Sequence, residues 1–216
     1  MTLTLLIIVS AALAIAGAGA QDNVIWLHYV CKPLTTMLIF YLAFRATSVS
    51  PPYRRAILTG ILFSLFGDIF LMLPATVVKP GFLLGLGSFL CAHICFLRAL
   101  TSDHRFFSRP LIFLGIGTLG AANLFVLWPG LTLDLRIPVV IYVVCLLCMT
   151  AQAITRHLSI QTSASKWAMA GGILFMLSDT LLAYNKFYTP LPQASLLILS
   201  TYYAALSLIA RSVNRS

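Results

Sequence analysis

The sequence contains no glutamate and few charged residues of any kind. Charged residues make up 9% of its 216 residues, whereas a soluble globular domain carries about 25%. Hydrophobic residues make up 60%, and the mean hydropathy is +0.98. This composition excludes a soluble domain and predicts an integral membrane protein whose chain crosses the bilayer several times.

The sequence also lacks the short motifs of the common enzyme classes. It has no GxSxG nucleophile elbow, no Walker phosphate-binding loop and no HExxH zinc motif. All five cysteines fall in apolar segments, which argues against a disulfide framework. They are Cys31, Cys91, Cys95, Cys145 and Cys148. His28 and His93 lie on separate segments without a histidine one turn away, so we expect no metal and no cofactor.

What the sequence does contain is eight apolar windows, each close to the roughly 20 residues that span a bilayer as a helix. The windows are 3–20, 24–44, 56–73, 82–100, 110–128, 137–155, 167–185 and 193–210. Their side chains do not alternate between apolar and polar as the strands of a membrane barrel do. The sequence therefore predicts an all-α, polytopic bundle of about eight helices, with residues 1–216 forming one transmembrane domain.

Lysine and arginine are distributed unevenly between the two sets of connections. With a cytoplasmic N-terminus, ten lie on the inner side, three lie on the outer side (Lys79, Arg136 and Lys186), and Lys32 lies inside a helix. Such a bias sets membrane orientation, so it predicts that both termini are cytoplasmic. It also accounts for the net charge of +9 without a nucleic-acid partner. The short connections favour a bacterial inner membrane.

The first window has a second interpretation as a signal peptide. Ala16 to Ala20 resembles the small-residue region that precedes a cleavage site. No lysine or arginine precedes Leu3, however, so the positively charged start of a signal peptide is missing. We therefore expect a retained helix.

Two of the five acidic residues, Asp68 and Asp179, lie inside apolar windows. A carboxylate at the centre of a membrane helix costs about 3 kcal/mol on insertion scales, so such residues are candidates for a functional site. Each follows a small residue, Gly67 or Ser178, which allows another backbone or a ligand to approach. The two aspartates are therefore the first candidates for catalysis.

The polar residues of the windows share one depth. Counted at 1.5 Å per residue, most of them lie about 6–12 Å below the predicted outer boundary. They are His28, Lys32, Asp68, Asn123, Tyr142 and Asp179. His93 is deeper, eleven residues into its window. The layer predicts one pocket open toward the outer leaflet, in which Asp68 faces Asp179 and which Lys32 and Tyr142 also line.

Each candidate also has a structural interpretation. The aspartates could pair with Lys32 or with helix ends, and Lys32 could instead extend to the interface. His93 could bond a neighbouring carbonyl, and Asn123 and Tyr142 could join helices by hydrogen bonds.

Proline interrupts the second window directly after Lys32. Pro33 removes a backbone donor and predicts a kink that frees a carbonyl. Thr35 and Thr36 are in position to compensate for the missing hydrogen bond of this helix.

Several short segments, in order along nearly the whole chain, resemble the YhhN-type lysoplasmalogenase family of eight-helix membrane proteins. They are Lys32-Pro33-Leu34, Leu65 to Asp68, Gly85 to Phe89 with His93, Pro138 with Tyr142, Phe175 to Asp179 with Asn185 to Phe187, and Thr201 to Tyr203. The resemblance implies hydrolysis of the vinyl ether bond of a lysoplasmalogen to a fatty aldehyde and glycerophospho-ethanolamine or -choline. It implies a lysophospholipid substrate and membrane lipid as the partners.

The residues fit this chemistry. A vinyl ether is cleaved by protonation of carbon, and water attacks the resulting oxocarbenium ion. Low-dielectric surroundings favour the neutral form of an acid, and two nearby carboxyls share their protons unequally. Asp68 and Asp179 are therefore the predicted acid and base, in an order that stays open, and replacing either with Asn is expected to abolish most hydrolysis. The predicted substrate-binding residues are Lys32, His93, Asn123, Tyr142 and Asn185, with Lys32 at the phosphate.

Two other functions remain open at this point. Paired intramembrane aspartates also build ion pathways, so a proton- or ion-coupled transporter of small molecules or lipids is the alternative. A non-catalytic membrane scaffold is the third possibility. Aldehyde release from a lysoplasmalogen separates the hydrolase from both.

Overall fold

Eight α-helices account for most of the chain in the computed structural model, which describes residues 2–18, 24–47, 50–74, 76–77 and 79–214. The helices are α1 (Thr2–Ala18), α2 (Ile25–Arg45), α3 (Pro51–Met72), α4 (Gly81–Leu100), α5 (Pro110–Leu127), α6 (Leu133–Ile160), α7 (Ser163–Phe187) and α8 (Ala194–Arg211). Seven of them, α2 to α8, are long and apolar enough to cross a membrane, and α1 is shorter at 17 residues. The prediction of an all-α, polytopic bundle of eight helices is confirmed for the described residues.

Helix boundaries differ from the predicted windows where polar residues extend a helix beyond the apolar run. Helix α3 begins five residues early because Pro51 and Pro52 fit the first turn of a helix, and Ser50 Oγ accepts a hydrogen bond from Tyr53 N at 3.3 Å. Helix α6 extends beyond its window at both ends and contains Pro138. Longer helices move the side chains within them to different depths.

The helices pack mainly as sequential pairs around an aromatic centre. The pairs α1–α2, α3–α4 and α7–α8 are the most extensive, and α8 also contacts α1, α2 and α3. Helix α6 packs on α4 and α7, whereas α5 lies outside it and contacts α6 and α7. The buried centre includes Phe89, Phe96, Phe175 and Tyr202. Polar side chains that enter this centre must therefore find partners on neighbouring helices.

Helix α1 packs as part of the bundle. Thr35 Oγ1 lies 2.9 Å from Ser10 Oγ, within hydrogen-bond distance, and His28 Nδ1 lies 3.0 Å from the carbonyl oxygen of Ala14. Gly17 packs so closely against α2 that a Cβ there would lie 2.5 Å from the backbone nitrogen of His28. These contacts support a retained first helix, which stays a prediction because Gly19 and Ala20 of the cleavage-like region lie outside the described residues.

The end of the bundle predicted to be cytoplasmic is fixed by a buried arginine. Arg156 of α6 is 2% exposed and holds Asp103 through two hydrogen bonds, from Nε at 2.8 Å and from Nη2 at 2.6 Å. Gln152, one turn earlier, donates to the carbonyl of the last residue of α4 and to carbonyls of the α4–α5 connection. Arg156 and Gln152 therefore fasten the α4–α5 connection to α6 at this end of the bundle.

The threonines after Pro33 have separate tasks. Thr35 Oγ1 donates to the carbonyl of Cys31 in its own helix at 2.7 Å, the common bond of a helical threonine to the residue four before it. Thr36 Oγ1 instead donates to Asp68 on α3 at 2.6 Å. The prediction that Thr35 and Thr36 compensate for Pro33 is wrong, because the carbonyl that Pro33 leaves without its donor is that of Tyr29, and the two hydroxyls bond Cys31 and Asp68 instead.

Candidate active site

Asp68 lies in a buried cluster formed by α2, α3 and α8. Its side chain accepts hydrogen bonds at Oδ2 from Thr36 Oγ1 at 2.6 Å and from the Tyr202 hydroxyl at 2.8 Å. Lys32 Nζ lies 3.7 Å from Oδ1. Asp68 is 1% exposed and Lys32 is 7% exposed. We call Lys32, Thr36, Asp68 and Tyr202 the Asp68 cluster; its carboxylate is enclosed by three donors.

Asp179 lies in a second cluster formed by α4, α6 and α7. The Tyr142 hydroxyl donates to Asp179 Oδ2 at 2.6 Å, and His93 Nε2 lies 3.3 Å from the same oxygen. His93 Nε2 is also 3.0 Å from the Tyr142 hydroxyl. The imidazole is fully buried, and its Nδ1 has no hydrogen-bond partner among the described residues. We call His93, Tyr142 and Asp179 the Asp179 cluster.

Aromatic rings lie between the two clusters. The Phe175 ring is 5.6 Å from the Tyr202 ring and 4.8 Å from the His93 ring, centroid to centroid. Phe89 packs beside it, 6.2 Å from Phe175. The Phe89 ring packs against the backbone of Gly67, where a Cβ would lie 2.5 Å from the ring and leave no room for it. Because Gly67 has no side chain, the Phe89 ring fits beside Phe175, and the two rings separate the Asp68 cluster from the Asp179 cluster.

The Asp179 cluster borders an apolar cavity of about 110 Å³. Its walls come from α3 to α7, and Tyr142, Asp179 and Asn123 are among its few polar members. The Asp179 side chain is 13% exposed, whereas Asp68 is enclosed. Of the two carboxyls, that of Asp179 lines this apolar cavity, whereas Asp68 is not among its lining residues.

A second cavity, of about 560 Å³, lies beside the first and is basic. It contains Lys32, Lys79 and Lys186, together with His28 and Asn185. We call it the lysine cavity. It lies between helix ends that the charge distribution predicts to be on the outer side.

The two cavities have a common wall. The residues that line both are Leu71, Phe82, Leu182 and Lys186. Lys186 Nζ lies 4.4 Å from the centre of the Phe82 ring. The transition from a basic to an apolar lining therefore occurs at this lysine.

The prediction of one cavity shared by Lys32, Tyr142 and both aspartates is wrong. Tyr142 and Asp179 line the apolar cavity, Lys32 lines the lysine cavity, and Asp68 is held by α2 and α8. Counting residues gives depth along a helix, but it does not give the direction in which each side chain points. Asp68 points toward α2 and α8, and Asp179 points toward α4 and α6.

His93 lies at the same depth as Tyr142 and Asp179, although the sequence predicts it to be deeper. Helix α6 begins four residues earlier than its window and α7 ends two residues later. Tyr142 and Asp179 therefore lie deeper than counted, at a level where His93 reaches both. The residue with the weakest sequence argument is a direct partner of Asp179.

The remaining predicted residues have local partners. Asn123 Nδ2 donates to the Leu119 carbonyl at 2.8 Å, and Asn123 lines the apolar cavity. Asn185 Oδ1 accepts from Leu191 N at 2.9 Å and lines the lysine cavity. Asn185 thus orders the connection from α7 to α8 at the edge of the lysine cavity.

Sequence reasoning missed Tyr202, Lys79 and Lys186 as site residues. Tyr202 lay in a family-like segment, but nothing in the sequence placed its hydroxyl against Asp68. In the sequence, Lys79 stands only as an outer charge and Lys186 as an outer charge within a family-like segment, and neither was assigned to the site. Within the described part of the chain, no group of three or more histidine, cysteine or acidic side chains is arranged to hold a metal ion.

This arrangement is that of an integral membrane protein with a carboxyl on the wall of an apolar cavity that adjoins a basic one. Residues 27–213 match the YhhN family, so the chain belongs to that family.

Curated relatives extend the comparison. The chain is 31% identical to pig lysoplasmalogenase TMEM86B over 86% of this chain and 74% of that protein. It is 30% identical to human lysoplasmalogenase TMEM86B over 91% of this chain and 79% of that protein. A lysoplasmalogenase from Mycobacterium bovis is 32% identical over 62% of this chain and 51% of that protein. The comparison with solved structures finds no match.

Proposed function

We propose that this protein hydrolyses the vinyl ether bond of lysoplasmalogens, releasing a fatty aldehyde and glycerophospho-ethanolamine or -choline. Relatives named lysoplasmalogenase, about 30% identical over most of the chain, support this reaction. The structural observation that carries the proposal is the Asp179 carboxyl at the wall of an apolar cavity beside a basic one. A lysoplasmalogen has a reactive ether between a phosphate and a long apolar chain.

In the proposed mechanism Asp179 acts first as an acid. Both hydrogen bonds found for its carboxyl involve Oδ2, and among the described residues none involves Oδ1. Protonated Asp179 delivers its proton to the outer vinyl carbon, so a C–H bond forms while the carbon–carbon π bond breaks. The electron pair of the ether oxygen then stabilises the oxocarbenium ion, beside the new carboxylate.

The same carboxyl then acts as a base. Water attacks the oxocarbenium carbon, Asp179 takes the proton that water releases, and a hemiacetal results. Its collapse breaks the bond to the glycerol oxygen, with the hydroxyl proton passing to that oxygen. One water is consumed, and the carboxyl ends in its starting state. A single aspartate can therefore perform both roles predicted for the pair, since they occur in sequence.

The other residues position these groups. Tyr142 and His93 hold Asp179 Oδ2, which leaves Oδ1 available to the substrate. Asp68 holds Lys32 in the wall of the lysine cavity, where Lys32 adds to the positive charge around the head group. Asn123 lies along the apolar chain, and Asn185 fixes the helix connection near the head group.

Aldehyde release tests this function directly. Purified protein in detergent should convert a 1-alkenyl lysophospholipid to one aldehyde per molecule consumed. The saturated 1-alkyl analogue should persist, because it has no double bond to protonate. Folded protein that releases no aldehyde would contradict the proposal. Proton-dependent lipid uptake by the same preparation in vesicles would then favour a transporter.

The proposed membrane orientation follows from the charge bias. Both termini lie in the cytoplasm, and the lysine cavity opens on the outer side of a bacterial inner membrane. Reporter fusions after residues 50, 105, 160 and 216 should all report cytoplasm, because arginine and lysine retain these connections inside. Fusions near 77, 132 and 189 should report the outside. An N-terminal tag found outside, or removed by cleavage after Ala20, would contradict this arrangement.

A further inference from the structure

Helix α7 carries both the proposed acid and a lysine at the junction of the two cavities. Asp179 and Lys186 are seven residues apart on this helix. Seven residues make about two turns, so the two side chains lie on the same face, about 10 Å apart along the axis. Asp179 lines the apolar cavity, and Lys186 lines both cavities.

The charge of the lysine cavity is unbalanced. Lys32 is paired with Asp68, which offsets its charge. Neither Lys79 nor Lys186 forms an ion pair with another described residue, and the described lining contains no acidic side chain. Asp22 lies outside the described residues. The described part of the cavity therefore has two positive charges without a negative partner, which is the chemistry that binds a phosphate.

The spacing on α7 matches the substrate proposed above. In a lysoplasmalogen, seven bonds connect the phosphorus to the outer vinyl carbon that receives the proton. Extended, and with bonds of about 1.5 Å, this path spans about 9 Å. A phosphate held by Lys186 would therefore place that carbon beside Asp179, and the alkyl chain would continue into the apolar cavity.

We propose that Lys186 is the phosphate-binding residue that sets the register of the vinyl ether against Asp179, with Lys79 supplying the second free charge. The proposal rests on the function proposed above. It distinguishes Lys186 from Lys32: the charge of Lys32 is shared with Asp68, whereas Lys186 stands where the lining changes from basic to apolar.

Binding measurements with two ligands test the role of Lys186. The first is a saturated 1-alkyl lysophospholipid, which has the phosphate but no vinyl bond; the second is the 1-alkylglycerol, which lacks the phosphate. Lys186→Gln should weaken binding of the first about tenfold or more, since a charge-assisted contact is lost, and leave binding of the second unchanged. Lys186→Arg should retain most of the affinity for the first.

The matched control is Lys166→Gln, an exposed lysine in the first turn of the same helix at the opposite end of the bundle. It should leave binding of both ligands unchanged. In turnover, Lys186→Gln should raise KM by the same factor as the dissociation constant.

The outcomes separate the two proposals. Normal affinity and normal KM in Lys186→Gln, with active wild-type protein, would overturn the lysine subsite and leave the hydrolase standing. Equal weakening of both ligands in that variant would also overturn it. Phosphate-dependent binding by wild-type protein that releases no aldehyde would overturn the hydrolase and leave the subsite standing.

Discussion

Asp179→Asn is expected to lower kcat for vinyl ether hydrolysis about 10²–10⁴-fold, the usual contribution of general acid–base catalysis. The amide keeps the size of the side chain and an oxygen that can accept from Tyr142, but it cannot give a proton to carbon or take one from water. More substrate should not restore the rate. Binding of the saturated 1-alkyl analogue should be nearly unchanged, because the phosphate and chain contacts remain.

The measurement is aldehyde release by purified variants, with unfolding in detergent as the folding control. The matched substitution is Asp134→Asn, which changes an exposed aspartate in the first turn of α6 and should leave kcat at the wild-type value. Near-normal turnover by folded Asp179→Asn would move the chemistry away from the Asp179 cluster, and Asp68 would become the next candidate.

Asp68→Asn is expected to destabilise the fold by about 3 kcal/mol, because it leaves the ammonium group of Lys32 buried without its partner. Lys32 is 7% exposed and its Nζ lies 3.7 Å from Asp68 Oδ1, so little water reaches the ammonium group to compensate for the loss of the Asp68 charge. Activity should fall as well, since the lysine cavity loses the group that holds Lys32 in place.

A double-mutant cycle separates this role from a catalytic one. Lys32→Met combined with Asp68→Asn removes both charges, and its free energy of unfolding should be less reduced than the sum of the two single changes. The double variant should retain measurable turnover with a raised KM. If Asp68→Asn unfolds like wild-type protein yet releases no aldehyde, Asp68 takes part in the chemistry, as the sequence predicted, and the structural role is wrong.

The helices were predictable because their signal is local. A run of about 20 apolar residues must form a helix in a bilayer, where each backbone polar group needs an internal partner. The helix boundaries were predicted less well, because the apolar run ends before the helix does. Helix α3 begins at Pro51 and α6 begins at Leu133, and both residues lie outside the predicted apolar windows.

The sequence predicted which residues belong to the site better than it predicted how they are arranged in space. Asp68 and Asp179 were identified because a carboxyl in an apolar window is costly, and the structure gives each a set of donors from other helices. His93 was predicted to lie below the other site residues because Tyr142 and Asp179 were placed too shallow, and their depth depends on where α6 begins and where α7 ends. Tyr202 was not assigned to the site because the sequence alone does not show which of the eight tyrosines turns its hydroxyl into the buried centre and therefore needs a partner.

The sequence by itself determined the class of protein, the number of helices and the residue types available for chemistry, because hydropathy and buried charge are properties of the chain read in order. Only the tertiary structure decided that Asp68 pairs with Lys32 while Asp179 joins His93 and Tyr142, with the Phe175 ring between them. That division depends on which way each helix is rotated about its own axis. The rotation is set by packing against neighbours that are distant in the sequence, such as α8 against α3.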